Sequence, residues 1–271
     1  MMDVLVKMLS YPFLVRALIV GIMVSLCASL LGASLVLKRY SMIGDGLSHV
    51  GFAALAVAYA MNLAPLSVSI PVCVIAAFFL LQIKESSRIK GDAATALLCS
   101  GALAIGVMTI SLTTGMNTDV CNYMFGSILA MSQSDVILSV WLCIAVLILY
   151  ILFYHRIFGV TFDENFARAT GTRTQFYNMV IAFLTAITVV LGMRMMGTLL
   201  ISSLIVFPAI IARKLTNSFK NLVILSIIIS IECFLFGLLF SFFLNLPTGA
   251  CIVGVYVVEY LGAIFWKKII K

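Results

Sequence analysis

An all-α, polytopic membrane protein of about eight to nine transmembrane helices is the fold class this sequence predicts, and three observations carry the prediction. Of the 271 residues, 63% are hydrophobic and 10% charged, with a mean hydropathy of +1.22. No water-soluble domain hides that much apolar surface. The apolar residues also fall in blocks close to the roughly 20 residues that cross a bilayer as a helix. Finally, the basic residues gather at alternate ends of those blocks, the positive-inside pattern. The net charge of +7 is therefore a topology signal, and no nucleic-acid partner is expected. The joins leave no room for a separate soluble catalytic domain, so residues 1–271 read as one integral-membrane domain embedded in lipid.

Taken in order, residues 1–13 suggest an amphipathic lead-in without the pattern of a cleaved leader. Candidate spans follow at 14–37, 44–63, 65–83, 93–113, 136–154, 175–193, 196–212, 222–244 and 249–266. Five joins are basic: Lys38/Arg39, Lys84/Arg88/Lys90, Arg156/Arg168/Arg173, Arg213/Lys214/Lys220 and Lys267/Lys268/Lys271. The joins between them hold one basic residue, Arg194. This asymmetry puts the five clusters and the C-terminus in the cytoplasm. Nine crossings would leave Lys7 and Arg16 outside, so either one span is overcounted or the first segment does not cross fully. The seven cysteines are scattered without a C-x-x-C pair. All but Cys121 lie in apolar blocks, where the thiol behaves as a small hydrophobe.

Chemistry concentrates in residues 41–51, SMIGDGLSHVG, at the start of the second block. Asp45 and His49, the latter one of two histidines, are four residues apart and so share one helix face. A carboxylate oxygen and an imidazole nitrogen at that spacing can ligate one divalent cation. Gly44, Gly46 and Gly51 permit close helix packing around them. A second signal is Glu232, near the centre of the eighth block in IIISIECF. A charged side chain at that depth costs about 2.5–3.5 kcal/mol on insertion scales, so Glu232 is a candidate third ligand or pathway residue. Glu259, nearer a basic end, is expected to pair with Arg213 or Lys267. The methionines at 193, 195 and 196 are expected to fill gaps rather than bind metal.

Two joins are longer than turns. The outer one, 114–135, contains a short apolar piece at 122–129 that suits either a re-entrant segment or a surface loop. The inner one contains TFDENFARATG at 161–171, read as a short helix over about 161–172. Thr161 or Asp163 would cap it, Asp163 and Glu164 complement its dipole, and Gly171 ends it. Phe162, Phe166 and Ala169 would form one apolar stripe. Such a stripe fits a membrane surface or a protein groove; two acids with few bases favour the groove.

Five stretches resemble the permease subunit of bacterial ABC importers for zinc and manganese: KRYSMIGDGLSHVG at 38–51, FGSIL at 125–129, FDENFARATG at 162–171, MGTLLISSLIVFPA at 196–209 and, more weakly, LPTG at 246–249. The resemblance implies a multi-pass permease of the bacterial cell membrane that works as a homodimer. It further implies two cytoplasmic ABC ATPase subunits and an extracytoplasmic metal-binding lipoprotein as partners. Asp45 and His49 match the family's metal pathway, whereas Glu232 rests on the burial argument alone. Phe162, Asp163, Glu164, Phe166, Arg168 and Gly171 match its ATPase-docking helix. The cargo would be a divalent transition metal, zinc first, with manganese or iron open, and no permanently bound cofactor is expected. The chain lacks the G-x-x-x-x-G-K-[S/T] loop of a Walker A ATPase and the H-E-x-x-H of a zinc protease, so it is expected not to be an enzyme. An ion-coupled secondary transporter, with Asp45 and Glu232 as proton sites, is the alternative.

Overall fold

The computed structural model describes residues 12–86, 91–113, 133–244 and 246–270. Residues 1–11 of the proposed lead-in and the apolar piece at 122–129 lie outside them, as does FGSIL; Pro12 and Phe13 open the first helix. Eleven helices occur among the described residues. They are α1 (Pro12–Leu37), α2 (Ile43–Ala60), α3 (Pro65–Ser86), α4 (Gly91–Thr113), α5 (Gln133–Leu152), α6 (Tyr154–Phe162), α7 (Glu164–Ala169), α8 (Thr174–Met196), α9 (Thr198–Leu215), α10 (Phe219–Leu244) and α11 (Thr248–Ile270). Every predicted span is a helix. Within a bilayer, a helix alone lets an isolated segment bond its own backbone groups. Seven helices are long and apolar enough to cross, eight if the pair α5–α6, bent by 68°, counts as one span. The difference from nine arises at α3, whose apolar part is the shorter Pro65–Leu81.

The helices form a packed bundle. α2 lies against α3 and α4, while α1, α8 and α9 pass through the middle and α10 and α11 close the other side. Polar side chains join these apolar helices at a few points. Tyr150 and Ser34 share a hydrogen bond of 3.2 Å, and the Ser230 hydroxyl donates to the Ser25 carbonyl at 3.1 Å. Such contacts act as glue where lipid and protein are equally apolar. Thr185 and Thr188 satisfy their hydroxyls on their own helix, donating to the carbonyls of Ile181 and Leu184.

Two glycines set the geometry. Gly197, at φ +84°, is the single residue between α8 and α9, a conformation that side chains with a Cβ resist. Gly32 lets α1 approach α9 until a Cβ there would lie 1.9 Å from the Ile205 carbonyl oxygen. Because the obstacle is backbone, it cannot rotate aside. We expect Gly32→Ala to cost at least about 1–3 kcal/mol, seen as a lower melting temperature of the purified chain. An unchanged melting temperature would show that this helix crossing is not tight.

Candidate functional site

α2 begins directly after the basic turn at 38–42. Its N-cap, Met42, offers no side-chain bond, and Asp45 supplies the acid of the first turn, where the helix dipole favours negative charge. One turn later His49 falls on the same face, its Nε2 3.9 Å from Asp45 Oδ1. The structure adds a third group that the sequence did not signal. Cys99 of α4 comes in so that single ligand atoms of Asp45, His49 and Cys99 all lie within 4.8 Å of one another. Gly46 makes this approach possible, since a Cβ there would stand 2.9 Å from Thr95 Cγ2 and 3.8 Å from Cys99 Sγ. Gly44 and Gly51 do the same against Ile205 and Met193. Met193 is buried against Gly51, the packing role expected of it.

The site is half open. The Asp45 side chain is 38% exposed and that of His49 19%, so a cation can enter and leave, while His49 Nδ1 is buried without a hydrogen-bond partner. Oxygen, nitrogen and sulfur donors of this kind suit a first-row transition metal. Nothing in the one-dimensional pattern separates Cys99 from the other thiols of the apolar blocks. The one usable signal is its span, whose start is rich in small residues (Ala93, Ala94, Ala96 and Gly101) that let α4 come near.

Glu232 lies outside this group. It sits on the exposed side of α10, and its electrostatic neighbour is Glu259 of α11. The pairing expected of Glu259 with Arg213 or Lys267 is not formed among the described residues; Lys214 instead stands 4.3 Å over the Tyr260 ring.

The inner join is a helix broken in two. Asp163 is extended (φ −145°, ψ 95°), ending α6 and capping α7 by accepting from the Phe166 N–H at 2.9 Å. Gly171, at φ +81°, closes α7 with the paired bonds Gly171 N–H to Arg168 O and Thr172 N–H to Ala167 O, a Schellman stop. The break removes the single stripe read from the sequence. Phe162 belongs to α6 and packs on Phe158 and Phe219, whereas Phe166 projects from α7 with 67% of its surface exposed. Glu164 ties α7 to the bundle. It lies 3.5 Å from the Lys38 ammonium and accepts from Asn178 at 3.1 Å, and Lys38 also donates to Asn178. Arg168 supports Glu164 from its own helix at 3.5 Å. The Lys38 side chain is only 6% exposed and that of Glu164 is 32% exposed, so this is a strut between α7, α8 and the end of α1, buried at its Lys38 end.

Fold and site together define a multi-pass helical membrane protein with a half-open cluster of three candidate metal donors and a capped helix tied to the bundle through Lys38. Residues 10–267 match the ABC 3 transport family, and the chain belongs to that family. It is 28% identical to the "Manganese transport system membrane protein MntC" of Listeria monocytogenes, covering 96% of this chain and 93% of that protein. It is 31% identical to a "Probable iron transport system membrane protein" of Haemophilus influenzae, covering 99% of each. A solved structure, PsaBC from Streptococcus pneumoniae in complex with Fab, superposes with a TM-score of 0.87 at 29% identity, covering 97% of this chain and 95% of that one. The chain is the membrane permease subunit of an ABC-type metal importer; ATP hydrolysis belongs to a separate chain.

Proposed function

We propose that this permease carries manganese or ferrous iron into the bacterial cytoplasm through a site formed by Asp45, His49 and Cys99. The observation that carries the reading is the convergence of these three donors within 4.8 Å on a partly open face. The sequence favoured zinc, and the donor set by itself would bind zinc more tightly than manganese. Transport, however, requires release, and the relatives above are named for manganese and iron. A weak, half-open site suits an ion selected mainly by its delivery protein. Metal accumulation in cells with and without the chain, measured for manganese, iron and zinc together, tests this. Loss of zinc alone would overturn it.

The remaining parts follow the same reading. A homodimer of this chain would cover the open side of the site, with the five basic clusters and the C-terminus in the cytoplasm. Two ATPase subunits would grip α7 around Phe166, and an extracytoplasmic lipoprotein would hand over the ion. Glu164 and Lys38 would pass the motion of α7 to the end of α1, five residues before α2 begins at Ile43. Phe162, Asp163, Arg168 and Gly171 would shape and anchor that lever. Reconstitution without ATPase is the discriminating test against an ion-coupled transporter, which would move metal in its absence.

Glu232 has no part in this ligand group. Glu232→Gln, which keeps shape and hydrogen bonding but removes the charge, is expected to leave metal accumulation at the wild-type level. A large fall with the protein folded would restore Glu232 to the ion's path.

A further inference from the structure

The ends of α1, α9 and α11 and the turn before α2 line an open cavity of about 630 Å³, within the roughly 300–1,000 Å³ typical of small-molecule sites. Arg39, Arg213, Lys214 and Lys267 line it together with Ser41, and no carboxylate is among its lining residues. Apolar wall comes from Ile210 and others of the same helices. Arg213, Lys214 and Lys267 meet Arg39 around this one space, a concentration of positive charge that favours an anion there. The cavity is shared by residues far apart in sequence, and neither the metal site nor the α7 strut uses any of them.

Two further observations bear on what enters. Arg39 adopts φ +60° at the position after the α1 C-cap, where Arg39 N–H bonds Val36 O and Tyr40 N–H bonds Leu35 O. Glycine is the usual residue there, and a side chain with a Cβ costs of order 1 kcal/mol or more. An arginine held in that conformation directs a function to the turn. The depth of the cavity is marked by Trp266, exposed beside Lys267, since exposed tryptophans sit at headgroup level. Lys214 is steadied by its position over the Tyr260 ring.

We infer that this cavity binds the phosphate headgroup of an anionic phospholipid. Basic pockets between transmembrane helices at a membrane surface recognise such headgroups, each Lys or Arg contributing about fivefold in affinity. Arg213 and Lys267 supply exposed charge, Arg39 adds a guanidinium from the turn, and Ser41 adds a neutral donor. A zwitterionic lipid carries its own ammonium into the cluster and is disfavoured.

The test is thermal melting of the purified full chain in neutral detergent, titrated with phosphatidylglycerol, phosphatidylcholine or inorganic phosphate. No transport readout is involved, so the result is independent of which metal is carried. Phosphatidylglycerol is expected to raise the melting temperature of the wild type, and the other two are not. The double variant Arg213→Gln/Lys267→Gln should need about thirtyfold more lipid for half the shift. Arg39→Gly should melt at or above the wild type without lipid, because the turn is relieved, yet need about fivefold more lipid. An equal response of wild type and both variants overturns the inference, as does an equal response to phosphatidylcholine. A shift with inorganic phosphate matching that with phosphatidylglycerol reassigns the cavity to a free anion and overturns the lipid.

Discussion

Asp45→Ala and His49→Ala are each expected to bring cellular metal accumulation to the level of cells lacking the chain, with expression and assembly intact. The two side chains share one face of α2, and removing either leaves a two-donor site that water can outcompete. Even outer-shell partners of a metal site are worth roughly 10–100-fold, so a ligand should cost at least about tenfold. Neither residue carries the fold. Asp45 and His49 are partly exposed, and packing at this crossing is made by Gly44, Gly46 and Gly51. Cys99→Ser sharpens the test. A hydroxyl is a poorer ligand for soft-seeking zinc but acceptable to manganese, so this variant should lose zinc competition against manganese uptake more than it loses uptake itself. Normal accumulation in Asp45→Ala or His49→Ala would remove the site from the pathway.

The second large effect is expected at α7. Phe166→Asp should strip the ATPase subunits from the purified complex, because an exposed aromatic on a rigidly capped helix is the form of an interface anchor, worth 2 kcal/mol or more when lost, a factor of roughly thirty. The helix itself should survive. Its cap at Asp163 and its stop at Gly171 use backbone groups that the Phe166 side chain does not touch. Glu164→Gln separates docking from transmission. It keeps a side chain able to bond Asn178 but gives up the charge facing buried Lys38, so the ATPase should still bind while metal moved per ATP hydrolysed falls. If the Phe166→Asp complex forms and transports as before, α7 is not the coupling element. If Glu164→Gln transports with wild-type stoichiometry, the strut only holds α7 in place.

The helices were readable because in lipid a run of about 20 apolar residues has one way to satisfy its backbone. The Gly171 stop and a cap at Thr161 or Asp163 were readable for a similar reason, as both are bonds within a few residues; the structure chose Asp163. What failed was continuity. The stripe of Phe162 and Phe166 assumed an unbroken helix, and the extended backbone at Asp163 assigns the two rings to different helices. Likewise the short apolar part of α3 and the 68° bend after α5 turned nine apparent spans into seven or eight.

The sequence by itself determined the class, the positions of the helices and the Asp45–His49 pair, all of which follow from spacing along one chain. Only the tertiary structure decided that Cys99, and not Glu232, stands with them. It also decided that Lys38 and Glu164 meet across the bundle, and that four cations from three separate basic clusters line one cavity. The physical reason is common to all three. A transmembrane helix is apolar on nearly every side, so its hydropathy does not reveal which face meets which neighbour. That choice falls to small residues such as Gly32 and Gly46, whose effect appears only once two backbones are close enough for a missing Cβ to matter.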